Sequence, residues 1–187
     1  YLIETEKGKY ILTIYEKRVN VEDLPFFSKL MQELSKKKFI CPKPILNKKN
    51  EFVSSLDKKK FMIVTYLDGK SKTILTPAEC KIVGNEAAKL HQITKNFNFK
   101  RDNNLSVKSW RKIFTQVKDQ CGNIHPDLPK LIEANLINIE KDWPTNLPMG
   151  IIHGDLFSDN IFFKNNKFSG FIDFYFSCND FYAFEIA

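Results

Sequence analysis

The 187-residue chain has few of the features that would tie it to nucleic acid. Only three of its 29 basic residues are arginines, namely Arg18, Arg101 and Arg111. The lysines are scattered, and their two short runs, Lys36–Lys38 and Lys58–Lys60, are typical of a solvated surface. A surface that follows phosphates usually combines arginine with aromatic neighbours. The net charge of +7 therefore predicts no nucleic-acid partner, while a polyanionic substrate such as a nucleotide stays compatible.

Paired cysteines and long apolar runs are also missing. The cysteines Cys41, Cys80, Cys121 and Cys178 lie 39, 41 and 57 positions apart, which is not the spacing of a zinc site or a redox dithiol. No uninterrupted apolar segment approaches the roughly 18 residues of a membrane-spanning helix. The first residues do not resemble a signal peptide. These absences predict a cytoplasmic protein without a membrane partner.

The sequence does contain enough apolar residues for a hydrophobic core, since 43% of its residues are hydrophobic and 17 are phenylalanine. The first part reads as strands around one helix. The helix is predicted from Asp23, as N-cap, to about Lys37. The predicted strands are Tyr1–Thr5, Tyr10–Tyr15, Pro44–Leu46, Glu51–Ser54 and Phe61–Leu67.

The pattern changes from strands to helices after Gly69. Thr76 and Glu79 form a capping-box signature at the start of a helix. Further helices are predicted at Val107–Gln120 and Pro129–Asp142, and strands at Gly150–His153, Ile161–Lys164 and Phe168–Asp173. We therefore expect a bilobal α+β fold, with a β-rich lobe and lobe linker at 1–69 and a mainly helical lobe at 70–187.

The stretch "HGDLFSDN" carries the clearest chemistry. Asp155 and Asn160 are five residues apart in one loop, and a short hairpin leads from them to Asp173 in "FIDF". Mg²⁺ prefers oxygen ligands, which Asn160 and Asp173 would supply. Phosphoryl transfer also needs an acceptor for the proton of the nucleophile, a role suited to Asp155. The spacing predicts a catalytic base flanked by two metal ligands.

Each of these residues alone would be read as a turn former or a strand end. Together, the order His-x-Asp-x4-Asn, strand, turn, strand, Asp-Phe matches the catalytic and metal-binding segments of kinases. His153 is then expected to brace the loop, and Asp159 to be a surface or capping residue. His91 is expected to be packed in a helix, and Asp180 either holds the loop after Asp173 or contacts substrate.

"GIIHGDLFSDNIFF" followed by "GFIDFYFSCND" resembles the aminoglycoside-phosphotransferase-like kinase superfamily. Within it, the chain is most similar to the bacterial homoserine kinases of that fold. Further similar segments are "YILTIYEKRV", "DLPFF", "IVTYLDGKS" and "GNEAAKLHQIT", so the resemblance covers essentially the whole chain. Members of the family are longer at both ends, which implies that the chain corresponds to an incomplete copy of the fold.

The resemblance implies an enzyme that uses ATP and Mg²⁺ to phosphorylate L-homoserine, on the route to threonine. It implies that Asp155 is catalytic, that Asn160 and Asp173 bind the metal, and that Tyr66 and Leu67 present backbone groups to the adenine. The alternatives are a kinase for another small alcohol, choline or an aminoglycoside, or a nucleotide-binding pseudokinase. The pseudokinase alternative arises because Thr13 stands where most kinases have an ATP-pairing lysine, and only Lys17 and Arg18 follow it closely.

Overall fold

A computed structural model describes residues 1–16 and 19–186. In chain order, the strands and α-helices of these residues are β1 (Leu2–Thr5), β2 (Gly8–Tyr15), α1 (Leu24–Lys36), β3 (Val53–Leu56), β4 (Lys59–Thr65), α2 (Pro77–Ile93), α3 (Val107–Ile124), α4 (Leu128–Asp142), β5 (Met149–Ile152), β6 (Ile161–Lys164), β7 (Lys167–Phe171) and β8 (Cys178–Phe181). In the described part of the chain, no helix is long and apolar enough to cross a membrane.

The first half of the chain forms an antiparallel sheet in the strand order β1-β2-β4-β3. The predicted first hairpin is confirmed, with Gly8 at a φ of +134° where the chain turns. The third strand lies at Val53–Leu56 instead of Glu51–Ser54, because Asp57 and Lys58 adopt left-handed φ angles of +46° and +67° and close a two-residue turn onto β4.

The extended pair predicted around Asn47 differs from the structure. Pro44 makes only an isolated bridge with Val64 on β4. The Asn47 side chain closes a local turn, since its Oδ1 accepts the backbone N–H groups of Lys49 at 2.8 Å and Glu51 at 3.1 Å. Because those N–H groups donate to a side chain, they are not available for pairing with a neighbouring strand.

Helix α1 packs its apolar face on this sheet, and its residues Leu24, Phe27, Leu30 and Leu34 are fully buried. Asp23 precedes the helix, as predicted, but its side chain makes no cap hydrogen bond. Its carboxylate instead accepts a hydrogen bond from Nε of Arg101 at 2.7 Å. A charged partner from a distant segment has replaced the expected local cap.

Helix α2 begins with the capping box that the sequence predicts. Thr76 Oγ1 accepts the Glu79 backbone N–H, while the Glu79 carboxylate accepts the Thr76 backbone N–H. Helix α3 continues to Ile124, beyond the predicted end at Gln120, and forms a hairpin with α4.

Two short antiparallel ribbons follow the helices. In the first, β6 pairs with β7, as the sequence predicts. In the second, β5 pairs with β8, a strand that the sequence reading missed. The predicted strand Phe168–Asp173 ends earlier, at Phe171, because Asp173 adopts a left-handed conformation that stops regular pairing.

One continuous core joins these parts. The buried cluster contains side chains from α1 and the sheet together with Ile151, Phe163, Phe171 and Phe174. The segment after β4 is also fixed to the β6–β7 ribbon, since Lys70 and Phe163 exchange two backbone hydrogen bonds of 3.0 and 2.9 Å. The division into two lobes near Gly69 stays a prediction.

Candidate active site

The loop between β5 and β6 brings Asp155 and Asn160 into direct contact. The Asn160 side-chain amide donates one hydrogen bond to the Asp155 backbone carbonyl at 2.8 Å and another to Asp155 Oδ2 at 2.9 Å. Asn160 is buried and Asp155 is half-buried. The segment from Asp155 to Asn160 therefore forms a closed loop, in which the Asn160 amide holds the Asp155 carboxylate.

Asp173 is joined to this loop through the backbone. The N–H of Ile172 donates to the Asn160 carbonyl at 3.0 Å, which fixes the next residue beside the loop. Asp173 has a φ of 62° and a ψ of 61°, a left-handed conformation that few residue types other than glycine, asparagine and aspartate adopt. The structure thus brings together Asp155, Asn160 and Asp173, the three residues singled out from the sequence.

The charge of Asp155 disfavours ionisation of Asp173. The pKa of Asp173 is raised for two reasons. The larger is that the surrounding protein partly desolvates the carboxylate, although the residue as a whole is exposed, and the second is that the Asp155 carboxylate carries the same charge. The pKa of Asp155 is also raised, mainly by desolvation, while the hydrogen bond from Asn160 opposes the shift. A bound cation would relieve this repulsion.

The donor set fits a hard divalent cation. Because both N–H groups of Asn160 are directed at Asp155, the amide oxygen is the atom that remains for a ligand. That oxygen and the Asp173 carboxylate match the oxygen donors that Mg²⁺ prefers, with waters and phosphates completing its shell.

His153 is a structural residue of the loop. It is completely buried, and its Nε2–H donates to the Ile172 carbonyl at 2.9 Å. Its ring packs 4.6 Å from the ring of Phe174. Burial lowers the pKa of His153 to about 4, so the ring is neutral at physiological pH. This agrees with the expected bracing role and leaves Asp155 as the group that can accept a proton.

A cleft of about 420 Å³ opens beside Asp173. It is lined by apolar side chains of the sheet and of the β6–β7 ribbon, and also by Thr13, Tyr66, Leu67 and Tyr175. The size is within the range of small-molecule pockets. The cleft therefore places both residues of the predicted adenine contact, and Thr13, in the same cavity as a candidate metal ligand.

The two predicted adenine-contacting residues differ in whether their backbone N–H group is free to donate to a ligand. The Tyr66 backbone N–H is already used, because it donates to the Lys9 carbonyl at 3.1 Å. No hydrogen bond among the described residues uses the backbone N–H of Leu67. Lys17 and Arg18, the cations that follow Thr13 most closely, lie outside the described residues.

All 187 residues of the chain match the phosphotransferase enzyme family. The chain belongs to this family. Relatives named homoserine kinase are 43% identical in Xanthobacter autotrophicus and 41% identical in Mesorhizobium japonicum, in both cases over the whole chain. The chain spans 58% of the length of each of these two relatives.

Solved structures share the fold of this chain. Amicoumacin kinase hAmiN, in complex with AMP-PNP, Ca²⁺ and Ami, matches with a TM-score of 0.70 and 17% identity, over 100% of this chain and 58% of that one. An aminoglycoside phosphotransferase from Alicyclobacillus acidocaldarius matches with a TM-score of 0.67 and 13% identity, over 99% of this chain and 62% of that one. The expected aminoglycoside-phosphotransferase-like fold is confirmed.

One residue that holds the loop of Asp155 is not predictable from the sequence motifs. The Glu185 carboxylate accepts the backbone N–H of His153 through one oxygen and that of Gly154 through the other, both at 3.0 Å. Burial raises the pKa of Glu185, and these two hydrogen bonds oppose that shift. Glu185 is about 30 residues from the loop in sequence and belongs to no local motif, so spacing gave no signal for it.

Gly154 explains why the loop reads His-Gly-Asp. Its φ of +77° is in the left-handed region, and a Cβ at this position would lie 2.8 Å from the Phe176 carbonyl oxygen. The absence of a side chain lets the segment after Asp173 approach the loop closely at Gly154.

Proposed function

We propose that this phosphotransferase transfers the γ-phosphoryl group of ATP to the hydroxyl of L-homoserine, giving O-phospho-L-homoserine for threonine biosynthesis. The observation that carries the reaction type is the contact between Asp155 and Asn160, with Asp173 beside them at the edge of a nucleotide-sized cleft. The acceptor is proposed because relatives 41–43% identical over the whole chain are named homoserine kinase.

Asp155 is proposed as the catalytic base. The Asn160 amide orients its carboxylate, and desolvation raises its pKa toward the range in which a carboxylate can accept a proton. The acceptor hydroxyl would lie within hydrogen-bond distance of Asp155 and pass its proton there as the new O–P bond forms. His153 is neutral and turned toward Ile172, so it takes no part in this transfer.

Asn160 and Asp173 are proposed to hold Mg²⁺, which would neutralise the phosphate charge as that charge moves onto the leaving ADP. Tyr66 and Leu67 are proposed to line the adenine end of the cleft, with the Leu67 backbone N–H as the donor. A boundary between two lobes near Gly69 is part of the same proposal, since the cleft is lined from both sides of that residue.

A cytoplasmic location is proposed as well. Cys41, Cys80, Cys121 and Cys178 are all free thiols, which suits a reducing compartment.

The test is an acceptor panel with the full-length protein. ADP release would be measured with ATP and Mg²⁺ in the presence of homoserine, choline or an aminoglycoside. We expect the highest kcat/KM with homoserine and a phosphorylated amino-acid product by mass spectrometry. A preference for choline or the aminoglycoside would contradict the proposed acceptor, and ATP binding without acceptor-dependent ADP release would support a pseudokinase.

A further inference from the structure

A second pocket adjoins the catalytic loop away from the nucleotide cleft. It has a volume of about 290 Å³. Its walls include Gly154, which directly precedes Asp155, and Phe176, which follows Asp173 by three residues. Polar side chains from two other segments, Asn20, Arg101 and Asn104, complete one side of it. The pocket is therefore next to the proposed base without being part of the cleft proposed for ATP.

The Arg101 guanidinium is held firmly at this pocket. Its Nε donates to Asp23 Oδ2 at 2.7 Å, and its Nη1 donates to the Ser177 carbonyl at 3.1 Å. The aromatic ring of Phe27 lies 5.1 Å from the guanidinium carbon. Only 14% of the Arg101 side chain is exposed. The guanidinium therefore has a defined plane before any ligand arrives.

The segment that carries Arg101 is fixed as well. Arg101 and Asn179 exchange hydrogen bonds, since the Asn179 backbone N–H donates to the Arg101 carbonyl at 2.7 Å and Asn179 Oδ1 accepts the Arg101 N–H at 2.9 Å. Asn103 donates from Nδ2 to Asp180 Oδ2 at 2.7 Å. These contacts anchor the segment around Arg101 on β8. Asp180, which lies on this strand after Asp173, takes part through its hydrogen bond from Asn103.

One edge of the guanidinium is left for a ligand. Among the described residues, no hydrogen bond uses Arg101 Nη2. Asn20 supplies a second donor at the pocket, because its Oδ1 accepts the Glu22 backbone N–H and its Nδ2 makes no hydrogen bond in the described part of the chain. Two N–H donor groups on a pre-oriented frame are what a carboxylate needs.

We propose that this pocket binds the α-carboxylate of the amino-acid acceptor, with Arg101 Nη2 and Asn20 Nδ2 as donors. The inference rests on the proposed function and adds the residues that would select an amino acid over a simple alcohol. A carboxylate bound here would leave the hydroxyl end of a short chain free to extend past Gly154 toward Asp155.

The test compares acceptors with and without the carboxylate in the full-length protein. L-homoserine and 4-hydroxybutanoate carry it, whereas 3-aminopropan-1-ol keeps the amine and the hydroxyl and lacks it. The kcat/KM of each would be measured for the wild type and for Arg101→Gln. A compound that is not phosphorylated would be measured as a competitive inhibitor against homoserine.

We expect Arg101→Gln to lower kcat/KM for the two carboxylates by roughly 10- to 100-fold, mainly through KM, because a charge-assisted hydrogen bond is lost. The value for 3-aminopropan-1-ol and the KM for ATP should be nearly unchanged. Asn20→Asp serves as a second variant, because it keeps the oxygen that accepts the Glu22 N–H while replacing the Nδ2 donor with a repelling oxygen. It should show the same selective loss.

Arg111→Gln is the matched control, since Arg111 pairs with Glu133 and Glu140 on the α3–α4 hairpin and does not line the pocket. It should leave all three acceptors unaffected. If both pocket variants lose kcat/KM equally on acceptors with and without the carboxylate, the proposed subsite is wrong. Homoserine turnover by the wild type would still support the proposed function in that case. A wild type that does not phosphorylate homoserine would overturn both.

Discussion

The Asn160 amide donates to Asp155 twice, at 2.8 Å to its backbone carbonyl and at 2.9 Å to its carboxylate. The pair thus combines a loop closure with the orientation of a carboxylate. It also determines which atom of Asn160 remains for a metal, because the amide nitrogen is fully used. The proposed division of labour between a base at Asp155 and a metal site at Asn160 and Asp173 depends on this contact.

Removing the Glu185 carboxylate should loosen the catalytic loop. Glu185→Ala leaves the His153 and Gly154 N–H groups without their acceptor, so we expect a fall in kcat of roughly 10-fold or more and a loss of about 1–3 kcal/mol in the free energy of unfolding. Glu185→Gln keeps one acceptor oxygen and should have a smaller effect. Steady-state kinetics and denaturant unfolding would measure both quantities.

Glu4→Ala is the control, because Glu4 on β1 has a 61% exposed side chain and pairs with Lys9 at the surface. It should change neither kcat nor stability appreciably. A Glu185→Ala protein with normal kcat would show that the loop holds its geometry without this carboxylate.

A side chain at Gly154 should be harmful, although glycine to alanine is a small change. In Gly154→Ala the new Cβ would meet the Phe176 carbonyl oxygen at 2.8 Å with the backbone at a φ of +77°, so we expect a loss of about 1–3 kcal/mol in stability. Gly84→Ala, in the middle of α2 with nothing within 4 Å of the added Cβ, should instead stabilise by about 0.5–1 kcal/mol. Thermal unfolding of both variants tests the opposite signs.

The buried His153 should make the protein sensitive to acid. In the unfolded chain it takes up a proton near the ordinary pKa of 6.5, but in the folded protein only near a pKa of about 4. Its contribution to stability is therefore complete above pH 6.5 and declines as the pH falls toward 4, by on the order of 3 kcal/mol. Urea unfolding at a series of pH values would show this decline.

His153→Asn keeps an N–H donor for the Ile172 carbonyl and removes the titrating group. Its stability should vary less between pH 6.5 and 4 than that of the wild type, whatever its stability at neutral pH. His125→Asn, at an exposed position after α3, should keep the wild-type slope. An unchanged slope in His153→Asn would mean that another group causes the acid sensitivity.

The candidate catalytic residues are predicted from local patterns alone. Asp155 and Asn160 share one loop, and the short ribbon that leads to Asp173 is itself readable from alternating apolar residues. The same holds for the capping box of Thr76 and Glu79, which involves only residues three positions apart.

Long-range contacts could not be read in the same way. Arg101 and Asp23 are separated by 78 residues, and no local signal pairs them or withdraws Asp23 from capping α1. Strand β8 was missed because it is short and pairs with β5, which ends some 25 residues earlier. Glu185 was missed for the same reason, since its partners are backbone groups that look alike in every sequence.

The most direct test of the account is a magnesium titration of Asp155→Asn and Asp173→Asn in the full-length protein, with Mg-ATP affinity and initial rate measured for both. Asp155→Asn should lower turnover by roughly 10²–10⁴-fold with little change in Mg-ATP affinity, because only the proton acceptor is lost. Asp173→Asn should weaken Mg-ATP binding along with turnover, and added magnesium should restore part of the rate. A magnesium-dependent recovery in Asp155→Asn, or near-normal turnover in that variant, would contradict the roles assigned to the two aspartates.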